Sequence, residues 1–303
     1  MKYIMDYKKI FKSRSLRFKI LNLLNWVPDK TMIKIQYKMK TGRKLNLKNP
    51  QRFTEKLQYY KLYYRNPLMK QCVDKYEVRK YVESKQLGNI LNECYGIYDK
   101  PEQVDFNKLP KKFVIKTTSG GGGNNIIICQ DKNRIDKEET ISKLKEWIKQ
   151  NPKKSFGREW AYEGNKNRII VEKLLEGNDE KLSGINDYKF LCYNGKVKYV
   201  VFDGDRYIKH KRSFYDENWK YIDIQSDCDK LEDVIPKPKM FDEMKKIAEK
   251  LSENFPFVRV DLYCVNKKII FGELTFYPWS GYVNFEPDEF DFELGNHFKI
   301  EEQ

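Results

Sequence analysis

The tract that most narrows the folds open to this chain is KKFVIKTTSGGGGNN at residues 111–125, where an apolar run ending in a lysine opens into four consecutive glycines. Each glycine costs backbone entropy on folding, so four in succession mark backbone that must take unusual dihedrals or lie close against a ligand. A plain linker is not normally led by Phe113, Val114 and Ile115 and closed by Ile126, Ile127 and Ile128. Two strands joined by a glycine hairpin loop fit the pattern, and phosphate is the natural ligand for such a loop. The spacings GxxxxGK[ST] and GxGxxG are absent, which argues against the Walker and Rossmann phosphate loops.

A second constellation lies near the C-terminus, in FVRVDLYCVNKKIIFGELTF at residues 257–276. Val258, Val260 and Leu262 alternate with Arg259 and Asp261, so one strand face is apolar and the other charged. A three-residue turn at Asn266, Lys267 and Lys268 would pair Val265 with Ile269 and set Asp261 opposite Glu273. Like charges directly opposed destabilise a sheet, and a divalent cation such as Mg²⁺ between them removes the repulsion. A solvated edge hairpin offset by Arg259 and lysines is the competing reading, and a two- or four-residue turn would separate the acids. Lys116 at the end of its strand, and Lys189 within DYKFLCY, are phosphate-contact candidates, because a buried lysine is costly unless an anion meets it.

Charge is concentrated in one place. Residues 1–44 hold 13 Lys and Arg against Asp6 and Asp29, a local net of +11 out of +15 for the whole chain. Residues 3–26 read as a basic amphipathic helix, which either lies on anionic lipid or packs on the protein. Nucleic acid is disfavoured, since no recognisable binding motif accompanies the charge. Six widely spaced cysteines fit a reducing cytosol, and two histidines disfavour His-based zinc sites and a Ser-His-Asp triad. No apolar run approaches the roughly 20 residues of a membrane span. The expected location is therefore cytoplasmic, with peripheral contact at the inner face of the cell membrane.

Periodicity predicts helices at 54–64, 74–87, 136–150 and 239–254, the second opening at Asp74 and ending before Gly88. Strand-like runs occupy 168–175, 187–193, 196–203, 257–265 and 269–276, and Asn194-Gly195 between two of them is a hairpin signal.

Taken in order, these features resemble the ATP-grasp superfamily, and within it the TupA-like branch associated with bacterial cell-surface polysaccharide and teichuronopeptide biosynthesis. The resemblance rests on LNLKNPQRFTEKLQYYKL at 45–62, DKYEVRKYV at 74–82, LPKKFVIKTTSGGG at 109–122, IIVEKLL at 169–175, NDYKFLCYNGKV at 186–197, and VRVDLY with FGELTFYPWSG at 258–281. It implies an α+β fold in which two α+β subdomains clamp ATP, with a basic helical N-terminal extension. The expected division is an extension at 1–66, a pre-ATP-grasp region at 67–110, an N-subdomain with the glycine-rich lid at 111–175 and a C-subdomain with the Mg²⁺ site at 176–303.

By the same resemblance Lys116 meets the α-phosphate and adenine edge, and backbone amides of Ser119, Gly120, Gly121 and Gly122 cover the outer phosphates. The backbone from Lys173 to Leu175 pairs with adenine, Glu172 supports that hinge, and Asp179 or Glu180 meets the ribose. Lys189 matches the basic residue of the D-x-[RK] strand. Asp261 and Glu273 match the magnesium carboxylates and Arg259 the arginine that neutralises the transferring phosphoryl group. Thr275 stands where many relatives place asparagine, so it or water would complete the metal shell.

The implied reaction is ATP-dependent carboxylate–amine ligation through an acyl phosphate, joining a glycan or sugar-linked substrate to an amino acid or amine. Acceptor candidates are Arg206, Lys209 and Arg212 in DRYIKHKR, with Tyr277 and Trp279 as sugar-stacking aromatics. A glycosyltransferase of the same pathway, using Asp203-Gly204-Asp205 or Asp227-Cys228-Asp229, and a catalytically inactive membrane-associated scaffold are the competing functions.

Overall fold

The computed structural model describes residues 20–119, 125–149, 154–177, 185–204 and 210–300. In chain order the helices are α1 (Asp29–Thr41), α2 (Phe53–Tyr63), α3 (Leu68–Val73), α4 (Val78–Ser84), α5 (Lys137–Lys149), α6 (Phe241–Ser252) and α7 (Glu289–His297). The strands are β1 (Cys94–Tyr98), β2 (Phe113–Thr117), β3 (Ile126–Cys129), β4 (Ile169–Lys173), β5 (Asp187–Tyr193), β6 (Lys196–Gly204), β7 (Lys211–Asp216), β8 (Tyr221–Ile222), β9 (Asp229–Lys230), β10 (Phe257–Val265) and β11 (Lys268–Thr275).

The strands form two sheets. The smaller runs β1-β4-β2-β3, and all its pairings are antiparallel. Its edge strand β1 lies N-terminal to the 111–175 segment. The Phe113–Thr117 and Ile126–Cys129 runs pair as a hairpin around the glycine tract, as expected. Val104, Phe106, Leu109, Phe113, Ile115, Leu144, Ile169 and Val171 make its core beneath α5. The larger sheet runs β11-β10-β5-β6-β7-β8, with β9 parallel to β7.

Alternation decides the two faces of that larger sheet. Phe190, Val258 and Val260 are fully buried, and the Phe190 ring lies 6.0 Å from that of Phe241 on α6. Helix α6 fits this face because Phe241, Met244, Ile247, Ala248 and Leu251 fall on one side at helical spacing. The opposite face carries Asp187, Lys189, Arg259, Asp261 and Glu273. Each fully buried aliphatic or aromatic side chain in this core contributes about 1.5–3 kcal/mol relative to exposure.

Two expectations are corrected. The helix expected over 74–87 is only α4, Val78–Ser84, because Asp74 is extended and its Oδ1 accepts from the Tyr76 and Glu77 amides at 2.9 Å. Helix α4 starts at Val78, behind that Asp74 turn; the left-handed residue after it is Gln86 (φ 56), and Gly88 begins a separate 3₁₀ turn. The β10–β11 turn has two residues, Asn266 and Lys267 at φ 51 and 61, so Val265 pairs with Lys268. That turn alone would set Asp261 against Gly272. A bulge between Asp261 and Leu262 restores the pairing of Asp261 with Glu273.

A clasp joins distant stretches of the chain. Thr54 donates to Asp291 through its amide (3.0 Å) and hydroxyl (2.7 Å), while Arg52 grips Asp288 at 2.6 and 2.7 Å. Arg43 adds a further contact to Asp288 at 2.5 Å. Of the basic amphipathic helix expected over 3–26, residues 1–19 lie outside the described residues and 20–23 are helical.

Candidate active site

Strand register assembles the charged face. Lys189 on β5 stands opposite Asp261 on β10, Asp261 opposite Glu273 on β11, and Asp187 opposite Asp203 on β6. The Lys189 ammonium bonds Asp187 and also Asp261 (2.9 Å), with Asp203 at 3.7 Å. Arg259 donates through Nε to Asp261 (2.7 Å) and through Nη2 to Asp261 (2.6 Å), Glu273 (3.0 Å) and Thr275 (3.0 Å). The Thr275 hydroxyl in turn donates to Glu273 at 3.0 Å.

Burial governs the electrostatics. Asp261 is 2% exposed, and burial pushes its carboxyl upward against the pull of Arg259 and Lys189. Burial acts the same way on Glu273, but there Arg259, Lys189 and Lys75 outweigh it and hold the carboxyl below its ordinary range. The Lys189 ammonium, which burial would depress, is raised by Asp187 and Asp261, so it stays charged.

Asp261 and Glu273 therefore stand side by side, Asp261 enclosed and the Glu273 side chain 41% exposed. Among the described residues no group of three or more His, Cys, Asp or Glu side chains is placed to hold a metal by itself. Two opposed carboxylates, one of them reachable, fit Mg²⁺, which binds through one or two carboxylates and keeps waters and substrate phosphates as its other ligands. Thr275 braces Glu273 from Arg259.

The smaller sheet supplies a second pair. The Lys116 ammonium meets Glu172 at 2.6 Å, with Arg79 3.9 Å from the same carboxylate. At the end of β4, the Lys173 amide donates to the Glu93 carbonyl (2.9 Å), while its carbonyl accepts from Asn92 (2.9 Å) and retains a second lone pair. Leu175 follows, half-buried. The Ser119 amide donates to Asn167 at 3.3 Å, so it is partly engaged within the protein rather than wholly free for phosphate. Gly120, Gly121, Gly122, Asp179, Glu180, Arg206 and Lys209 lie outside the described residues.

The acceptor candidates divide. Tyr277 is corrected: at 3% exposure it packs against Tyr60 and Tyr162, so it cannot stack on a sugar. Arg212 is corrected too, because it is buried and held by Asp203 at 2.7 Å and by Asp227. Trp279 remains partly exposed, with the Arg212 guanidinium 5.2 Å from its ring centre. The same contacts count against the glycosyltransferase alternative, since one aspartate of each D-x-D sequence is committed to Arg212.

Sequence reasoning gave Asp187 no role of its own within the D-x-[RK] strand, placed Asp203 only in a D-x-D alternative, and missed Lys75. Asp187 lies two residues before Lys189 and thus on the same strand face, a signal that was available. Asp203 reaches Lys189 only through a second irregularity, between Leu191 and Cys192, which no spacing rule announces. Its carboxyl, which burial would raise, is held far below the usual range by His210, Lys189 and Arg212. Lys75 donates its amide to the Thr118 carbonyl (3.0 Å), beside the glycine tract. Burial lowers its pKa while Glu273 pulls the other way, which places a third cation near the carboxylate pair.

A smaller sheet that carries the β2–β3 hairpin, and a larger one with opposed carboxylates and an arginine, fit the ATP-grasp class of ligase fold. Residues 55–299 match the family model of the TupA-like ATP-grasp proteins, and the chain belongs to that family. Solved structures similar to it include D-alanine–D-alanine ligase from Bacillus anthracis, with 20% identity, TM-score 0.42, and coverage of 68% of this chain and 57% of that one. ATP-grasp ligase PsnB, complexed with a phosphomimetic variant of its minimal precursor, Mg and ADP, has 13% identity, TM-score 0.43 and coverage of 78% and 62%. N5-carboxyaminoimidazole ribonucleotide synthetase from Thermus thermophilus has 9% identity, TM-score 0.40 and coverage of 71% and 48%. The chain thus spans less than two thirds of the length of each. Among curated proteins, none matches.

Proposed function

We propose that this protein is an ATP-dependent carboxylate–amine ligase acting on a cell-surface glycan precursor or its amino-acid substituent. The observation that carries the reading is the register that brings Asp261 and Glu273 face to face beneath Arg259 and Lys189. Membership of the TupA-like ATP-grasp family supports it. In this reading Lys116 and Lys75 hold the phosphates of ATP under the lid of Ser119 to Gly122. The backbone from Lys173 to Leu175 takes the adenine, Glu172 steadies Lys116, and Asp179 or Glu180 takes the ribose.

Asp261 and Glu273 would hold Mg²⁺, with Thr275 bracing Glu273. When bound, the ion supplies charge neutralisation at the β- and γ-phosphates. The chain's own residues do the rest. Arg259 neutralises the γ-phosphoryl group while a substrate carboxylate oxygen attacks phosphorus, the bond to the β-phosphate oxygen breaks and ADP leaves. An amine then attacks the acyl carbon of the acyl phosphate, phosphate departs with the bonding electrons, and the amine loses its proton. Positioning and charge neutralisation carry such a transfer, so no protein nucleophile is required.

The basic stretch 1–44, with Leu23 and Trp26 76% and 80% exposed, supports peripheral contact with an anionic bilayer. Among the described residues no helix is long and apolar enough to cross a membrane.

The test is ADP release and hydroxamate formation from Mg·ATP, hydroxylamine and either L-glutamate or D-glucuronate as carboxylate probe. Hydroxylamine captures an acyl phosphate whatever the natural amine. We expect both products from the wild type and neither from the Asp261→Asn, Glu273→Gln double variant. ADP release that survives the double variant would overturn the assignment.

A further inference from the structure

Helix α2 belongs to the LNLKNPQRFTEKLQYYKL segment, one of the marks of the family resemblance, yet nothing above gives its polar side chains beyond Thr54 a role. Its Lys61 is fully buried. The ammonium donates to the Ser280 carbonyl (2.8 Å) and hydroxyl (2.9 Å), stands 3.6 Å from Glu159, and lies 4.6 Å from the centre of the Tyr282 ring. Gln58, one turn earlier, donates to the Ser280 (3.2 Å) and Gly281 (2.9 Å) carbonyls. The Ser280 hydroxyl donates to Glu159 at 2.5 Å.

All these contacts converge on one short stretch. Trp279, Ser280 and Gly281 are consecutive left-handed residues, at φ 52, 54 and 64, four to six positions beyond Thr275. Left-handed backbone is unfavourable for L-residues and persists only where its surroundings dictate it. Two glycines make room for the contacts. A Cβ at Gly281 would fall 2.3 Å from Gln58 Nε2, and one at Gly157 would fall 2.5 Å from Ser280 Oγ.

This knot is poor in stability terms. Burial lowers the Lys61 pKa to about 8 despite Glu159, so holding the charge there works against folding. Three buried polar atoms on the residues around it also lack a hydrogen-bond partner among the described residues: Gln58 Oε1, Trp160 Nε1 and the Tyr277 hydroxyl. Features that cost stability and gather in one place point to function. Glu159 leads into the Trp160–Tyr162 turn, and the Tyr162 phenol, raised chiefly by burial, also feels Glu159, Glu273, Arg259 and Asp261. Trp279 itself faces Arg212.

We propose that Lys61 is a positioning residue for the acceptor end of the site: with Gln58 and Glu159 it locks Trp279–Gly281 in its left-handed form beside the carboxylate strand. The role in catalysis rests on the ligase reading; the locking of the turn does not. Lys61→Met keeps apolar bulk and removes the ammonium. Its melting temperature is expected to change little, because removal of the buried ammonium is offset by the loss of its contacts to Ser280 and Glu159. Amide exchange at 279–282 is expected to quicken at least tenfold, with Mg·ATP affinity within twofold of wild type. In the hydroxylamine assay the KM for hydroxylamine rises at least tenfold while the KM for ATP stays within twofold.

Unchanged exchange at 279–282 would refute the proposal. So would a lower melting temperature with exchange raised evenly over the whole protein, which would make Lys61 a stability element only. A wild type that binds no Mg·ATP and forms no hydroxamate sinks the ligase reading, and the exchange measurement still decides whether Lys61 sets the turn.

Discussion

Replacing Gly272 by alanine tests the register on which the candidate site depends. A Cβ at this position would fall 2.9 Å from the Asp261 carbonyl oxygen and 3.1 Å from a Tyr263 ring carbon, neither of them the end of a flexible side chain. Forcing a methyl group into packed surroundings costs about 1–3 kcal/mol. The strand escapes the clash most readily by giving up the bulge, and a one-residue slip turns Glu273 to the other face of the sheet. Arg259 and Asp261 then lose their partner strand's carboxylate. Loss of one or two charge-assisted contacts, each about 1.5–3 kcal/mol, weakens Mg·ATP binding on the order of 100-fold. Gly195→Ala is the control. That residue sits at φ 76 in the β5–β6 turn, where a Cβ would make only an ordinary contact with Glu253 (3.5 Å), so alanine costs about 1 kcal/mol there and leaves the carboxylates alone. Urea denaturation gives the stabilities and isothermal titration with Mg·ATP the affinities. Wild-type affinity in a destabilised Gly272→Ala protein would show that the bulge does not align the two acids.

Glu172→Gln should weaken Mg·ATP binding about tenfold, because Lys116 loses the ion pair that orients it; equal affinity in the same titration would remove Glu172 from the site. His210, hydrogen-bonded to Asp203 at 3.1 Å, has its pKa raised from 6.5 to about 9 by that bond and by Cys228. The raised value means that its stabilisation is complete below pH 6.5 and fades as pH climbs through 9. His210→Gln should therefore trail the wild type by up to about 1 kcal/mol at pH 6, the ring being 38% exposed and partly screened, and should match it at pH 10 in denaturant titrations. Deleting residues 1–26 should reduce sedimentation with phosphatidylserine vesicles, and unchanged binding would end the membrane proposal.

The long strands and their hairpins were legible, since β10 alternates and Asn194-Gly195 marks a turn that the structure contains. Short or turn-bound elements were not. Strand β1 has only five residues, all half-buried, β7 mixes charged and aromatic residues, and β8 and β9 have two residues each, so their pairing depends on partners elsewhere in the chain. Helix α7 was missed because acids interrupt its apolar positions, and one of them, Asp291, is fully buried against Thr54. At the site, the meeting of Asp261 with Glu273 was anticipated through the wrong turn length. Two departures, a turn one residue shorter and a bulge one residue longer, cancelled. Tyr277 and Arg212 looked available because side-chain type says nothing about depth; packing had already assigned one to the core and the other to Asp203.

The clasp of Arg52 and Thr54 with Asp288 and Asp291 bears on how a minimal version of the protein should be cut. A boundary placed at residue 55, where the family match begins, would discard every hydrogen-bond donor found for the enclosed Asp291 carboxylate while keeping the acid. An orphaned interior charge of that kind costs about 3–5 kcal/mol, a large part of what holds a small protein together. Shortened forms should begin upstream of Arg43, or carry an uncharged residue in place of Asp291.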